Sequence, residues 1–135
     1  MSILAKNRVN QVWSQITQPR TLCTPSRKKP FSVVKSTPND ITIEVGSQGE
    51  SRLVITRDQF ESTIDYLNQN GHGLGMPCRL DSSNSPDKAG PLCLACRTKS
   101  ASGYGPRVIT YILPILESVG VVGIDGKAPA STWLV

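Results

Sequence analysis

Apolar and polar positions alternate most regularly between residues 31 and 55. Ile41, Ile43 and Val45 are separated by Thr42 and Glu44, the period-two pattern of a strand with one face buried. Segments 31–35 and 52–55 carry strand-forming residues on either side, and turn formers at 36–40 and 46–49 divide the three. This pattern predicts an antiparallel meander, and 21–24 supplies a short further strand.

At Thr56 the period becomes helical. Gln59 follows three positions later, so each side chain can satisfy the other's free backbone N–H in a capping box. Phe60, Ile64 and Leu67 then share one helix face, and Gly71 is the predicted stop. Upstream, Val9, Val12, Trp13 and Ile16 mark an amphipathic helix within 3–17, with Pro19 beyond its end.

Residues 70–105 have no period and are rich in Gly, Ser, Asn, Asp and Pro, a connection long enough to be functional or disordered. Apolar residues at 73–80 and 89–96 need burial, so the expectation is an ordered irregular segment, with 92–97 a short helix or strand and 100–105 a mobile tip. Order resumes at Pro106. Residues 106–119 predict a helix apolar nearly all round, either central or covered by a second subunit, and Pro114 is expected to kink it or end it early. Residues 121–124 and 132–135 flank Asp125-Gly126 and predict a closing hairpin. The expected architecture is one α+β domain over 1–135: a small antiparallel sheet of three or four strands with flanking helices, closed by a C-terminal helix and β-hairpin in winged-helix-like form.

Composition narrows the partners. A chain of 135 residues with 38% hydrophobic content can bury a single core, and its longest apolar run is too short for a bilayer, so a cytoplasmic, membrane-free protein is expected. Net charge is +5, but residues 1–35 hold seven bases and no acid, whereas 36–135 hold 8 − 10 = −2. A localised basic segment favours polyanions, nucleic acid first. Pro25 and Pro30 bracket Arg27, Lys28 and Lys29 in a stiff turn suited to phosphate contacts, and Arg20, Lys35 and Lys127 complete the candidate set. DNA ranks ahead of RNA. With aromatic residues at 5%, a platform that stacks single-stranded bases is disfavoured.

His72, Cys78, Cys93 and Cys96 are the candidate metal ligands. The two-residue gap of Cys93-Leu-Ala-Cys96 suits two thiolates on one structural zinc, while the apolar residues around it suit buried thiols equally well. No catalytic residue emerges: His72 sits among glycines without an orienting partner, Asp125-Gly126 is explained as a turn, and no phosphate-cradling glycine loop follows a strand. The leading reading is a small, non-enzymatic regulatory or accessory protein that binds double-stranded DNA, with a homodimer matching two half-sites. The alternative is an adaptor or inhibitor that docks on a protein through apolar C-terminal elements.

Overall fold

The computed structural model of the chain describes residues 2–46 and 48–135. It begins with α1 (Ile3–Gln15), capped by the Ser2 hydroxyl, which accepts from the Ala5 N–H at 3.1 Å. Four strands follow, β1 (Arg20–Cys23), β2 (Pro30–Ser36), β3 (Asp40–Val45) and β4 (Ser51–Thr56), in antiparallel order β1-β2-β3-β4. The expected meander is therefore present, with the fourth strand on its edge. The turn predicted at 46–49 includes Ser47, which lies outside the described residues.

Alternation sets which face of this sheet is wet. Phe31, Val33, Ile41, Ile43 and Ile55 point inward and are buried. Thr21 and Ser32 pair their hydroxyls at 3.2 Å, and Arg52 reaches Glu44 at 2.8 Å, on the opposite, solvated face. Val34 is an extra residue between the pairs Val33–Ile43 and Lys35–Thr42, a bulge that turns Lys35 to the solvated face.

Helix α2 (Arg57–Gln69) starts with the capping box: Gln59 N–H donates to Thr56 Oγ1 at 3.3 Å, and Thr56 N–H donates to Gln59 Oε1 at 2.9 Å. Phe60, Ile64 and Leu67 are fully buried, and Gly71 follows at φ +69°, where a residue without Cβ is favoured. Trp13 locks α1 to α2. Its ring meets Phe60 edge-on with centroids 5.3 Å apart, its indole N–H donates to the Thr37 carbonyl at 2.7 Å, and Arg57 lies over its face at 4.7 Å.

The aperiodic stretch is ordered by short pieces: β5 (Cys78–Arg79), α3 (Pro91–Ala95), and a tight hairpin of β6 (Lys99–Ser100) with β7 (Gly103–Tyr104). The segment expected as a mobile tip is thus a paired turn. Helix α4 (Ile109–Ser118) starts three residues later than predicted and runs four residues past Pro114. Ile109, Ile112, Leu113, Ile115 and Leu116 are fully buried, each worth roughly 1.5–3 kcal/mol. Together they outweigh the roughly 3 kcal/mol that an interior proline costs, so the early end does not occur.

Strands β8 (Val122–Asp125) and β9 (Ser131–Leu134) close the chain, and β5 adds to them in a second sheet of order β5-β9-β8. This sheet and the meander enclose α4, with Phe31 edge-on to Tyr111 at 5.2 Å. The apolar residues of α4 are therefore covered within the chain, while Val135, just past β9, remains exposed. The winged-helix form is corrected in the same way: a reading helix must face solvent along its length, and α4 exposes only Glu117 and Ser118 of its residues. No helix among the described residues is long and apolar enough to cross a membrane.

Candidate nucleic-acid interface

The basic residues between the first two strands sit on a turn built by one threonine. Thr24 N–H donates to the Lys29 carbonyl at 2.9 Å, the Thr24 carbonyl accepts from Lys28 N–H at 3.1 Å, and Thr24 Oγ1 accepts from Lys29 N–H at 3.0 Å. Pro25 is buried and anchors the turn, while Arg27, Lys28 and Lys29 are exposed. Lys28 holds the left-handed conformation at φ +54°.

A second basic turn packs on the first. Asp125 Oδ1 accepts from Lys127 N–H at 3.1 Å and shapes the β8–β9 connection. Gly126 in that connection lies against Pro25: a Cβ there would stand 2.5 Å from the Pro25 carbonyl oxygen and 3.1 Å from Lys28 Nζ. Lys127 thus joins Arg27, Lys28 and Lys29 at one end of the molecule. Among the described residues none of these four is in an ion pair; the two pairs present are Arg52–Glu44 and Arg79–Asp81.

Arg20 and Lys35 belong elsewhere. Arg20 is half-buried and donates to Gln15 O at 3.1 Å and Ser118 Oγ at 3.3 Å, so it ties β1 to the ends of two helices. Lys35 is exposed beside the bulge, on the solvated face of the meander. The six predicted contacts therefore resolve into a cluster of four, one structural tie and one isolated cation.

Beside the cluster opens a cleft of about 570 Å³, lined by the basic turn, the segment after β5, the first turn of α4 and residues 128–130. Three cations border it, Arg27, Lys29 and Arg107, against one carboxylate, Asp81, which is bridged to Arg79 at 3.1 Å. Thr110 is 9% exposed, and neither its Oγ1 nor the Nε of Arg107 has a hydrogen-bond partner. Asp81 adopts φ +42°, and among the described residues it and Lys28 are the non-glycine positions with positive φ. Backbone strain of this kind concentrates at functional sites.

A buried arginine fixes the cleft's outer wall. Arg97, 6% exposed, donates through its guanidinium to the carbonyls of Ser83 and Asn84 and to Cys93 Sγ, with no acid opposite it. Charged hydrogen bonds from its two terminal nitrogens stand in place of an ion pair, while its Nε is buried without a partner. Sequence reading missed Arg97, Asp81 and Asn84 entirely. Arg107 and Thr110 were legible only as polar interruptions of an apolar helix.

The proposed metal ligands do not assemble. Cys96 Sγ donates to Cys93 O at 3.4 Å, Cys78 Sγ to Arg79 O at 3.5 Å, and His72 Nδ1 contacts Met76 O at 2.6 Å while its ring stacks on Tyr66. Among the described residues no three His, Cys, Asp or Glu side chains are grouped to hold an ion. Cys93 within the short helix α3 and Cys96 at its C-cap are packed thiols, and burial, then the nearby Cys93, pushes Cys96 up to about 12. No protein-family model, curated protein or solved structure matches this chain.

Proposed function

We propose that the chain binds double-stranded DNA as a non-enzymatic accessory protein, using Arg27, Lys28, Lys29 and Lys127 to engage the phosphate backbone. What carries this reading is the packing of the β8–β9 turn on the β1–β2 turn, which brings cations from positions 100 residues apart (127 − 27 = 100) to one end. Exposed, unpaired cations on a firm turn position a protein along phosphates without requiring base contacts. Each phosphate neutralised releases counterions, so affinity for any duplex falls with salt. The test is a salt titration of fluorescence anisotropy on a short labelled duplex, with double-stranded RNA as competitor. A linear fall of log K with log salt, with a slope of about −3 to −4 for four contacts, supports the reading. Absence of binding at low salt sinks it, and preferential displacement by RNA reassigns the nucleic acid.

A further inference from the structure

Phosphate contacts by the two basic turns leave the neighbouring cleft without a role. Its volume, about 570 Å³, falls in the range that small-molecule sites occupy, roughly 300–1,000 Å³. Its lining divides by chemistry. Arg27 and Lys29 stand at the rim with Arg107 deeper, a cationic side; Leu80, Tyr111 and Ala130 form an apolar side. Asn84, exposed, adds an amide to the same lining.

We infer that this cleft receives a single nucleotide unit, its phosphate against Arg27, Lys29 and Arg107 and its base against Leu80 and Tyr111, with the polar edge of the base at Asn84. The choice of a nucleotide over other small anions rests on the nucleic-acid reading above. The cleft itself supplies the rest. A bare phosphate would use only the cationic side and leave the apolar side wet. A flat, uncharged ligand would leave three cations unanswered. A nucleotide meets both, and an amide such as Asn84 can pair with two adjacent groups on a base edge.

Thr110 also belongs to the lining, but its Oγ1 and Arg107 Nε are both closed off from solvent, as are Arg57 Nε and Arg97 Nε elsewhere, so the exposed amide of Asn84 is the group free to meet the edge of a base. Proteins that take a base out of a helix read it in this manner, by hydrogen bonds to its edge and contact with its faces. The nucleotide can come from a strand, as an unpaired or extruded unit, or from solution.

The experiment is an amide chemical-shift titration of the full chain with each deoxynucleoside 5′-monophosphate, the matching nucleosides and inorganic phosphate. The expected result is saturable movement of the Leu80, Thr110 and Tyr111 amides by at least one nucleotide, at about tenfold higher affinity than phosphate or nucleoside alone. Asn84→Ala should weaken that binding by up to about tenfold while leaving fully paired duplex binding unchanged. Asn84 is exposed, so this variant leaves the fold intact. A duplex with one unpaired nucleotide that moves the same amides locates the source in a strand; movement by mononucleotide alone locates it in solution. Phosphate that matches the nucleotides, or silence of all three amides at millimolar nucleotide, overturns the inference. Silence with intact duplex binding leaves the interface standing, and nucleotide binding without duplex binding removes the interface but keeps the cleft.

Discussion

Gly126 lies so close to Pro25 that a methyl group on it would stand 2.5 Å from the proline's carbonyl oxygen. The obstacle is backbone, which cannot swing aside as a flexible side chain can. Gly126→Ala should therefore push the two basic turns apart and cost about 1–3 kcal/mol, the usual range for overpacking. Urea denaturation measures the cost. A variant as stable as the parent would mean that the turns are not held together.

Neutralising the cluster separates interface from scaffold. Arg27→Ala, Lys28→Ala and Lys29→Ala combined should reduce the salt slope of duplex binding by about three and spare the melting temperature, because all three side chains are exposed. Adding Lys127→Ala should remove about one more contact. Lys35→Ala, on a different face, should change neither quantity. Equal effects from Lys35 and Lys127 would refute the assignment of a single basic end.

The hydroxyl of Thr110 predicts a variant more stable than the parent. Thr110→Val removes a buried group that has no partner while keeping the shape of the side chain. It should raise stability by about 1 kcal/mol, since an unsatisfied buried polar atom costs about 1–3 kcal/mol. Calorimetry that gives a lower melting temperature would show that the hydroxyl already has a partner in solution.

Alkaline pH should loosen the fold through Cys96. Burial, followed by the proximity of Cys93, raises this thiol from 9.0 to about 12. The folded value lies above the unfolded one, so the contribution to stability is complete below about pH 9 and lost as pH rises toward 12. Burial also raises Cys78 and Tyr66, which act in the same direction. Melting temperature should fall across this window, and fall less steeply in Cys96→Ala; parallel profiles would acquit the thiol. At pH 8 an aromatic disulfide reagent should find Cys23 first, the one exposed cysteine among the four.

Removal of residues 131–135 should unfold the domain. β9 is the middle strand of its sheet, Leu134 N–H donates to His72 O at 2.8 Å, and Arg8 reaches the Val135 carbonyl at 2.9 Å. Circular dichroism of the truncated chain is the measurement, and a cooperative melt near that of the parent would contradict the sheet's role.

The meander and both amphipathic helices were legible because their determinants are local. Ile41, Ile43 and Val45 alternate within one strand, and Thr56 and Gln59 recognise each other across a single turn. The cleft was not legible, because its walls come from Pro25, Leu80, Arg107 and Pro129, which only the fold brings together. Cys93 and Cys96 look like a metal grip in sequence, and three positions apart they do share one face, but each sulfur is engaged by a carbonyl or by Arg97 and no third ligand is grouped with them among the described residues. Arg97 itself, a long cation in a polar stretch, carries no local sign of burial; its carbonyl partners belong to a segment with no periodic pattern.

The two sheets differ in when they can exist. Each strand of the meander pairs with its neighbour in sequence, so that sheet can form as soon as residues up to 56 have been synthesised. β5 must wait for a partner 54 positions later, since Cys78 pairs with Thr132 and 132 − 78 = 54. Pairings across long separations carry a larger loop-closure cost and form more slowly. Until β9 has paired with both β5 and β8, the isoleucines and leucines of α4 have only part of their covering. A refolding chain is therefore most prone to associate with its neighbours in the step that closes the second sheet, after the meander has already formed.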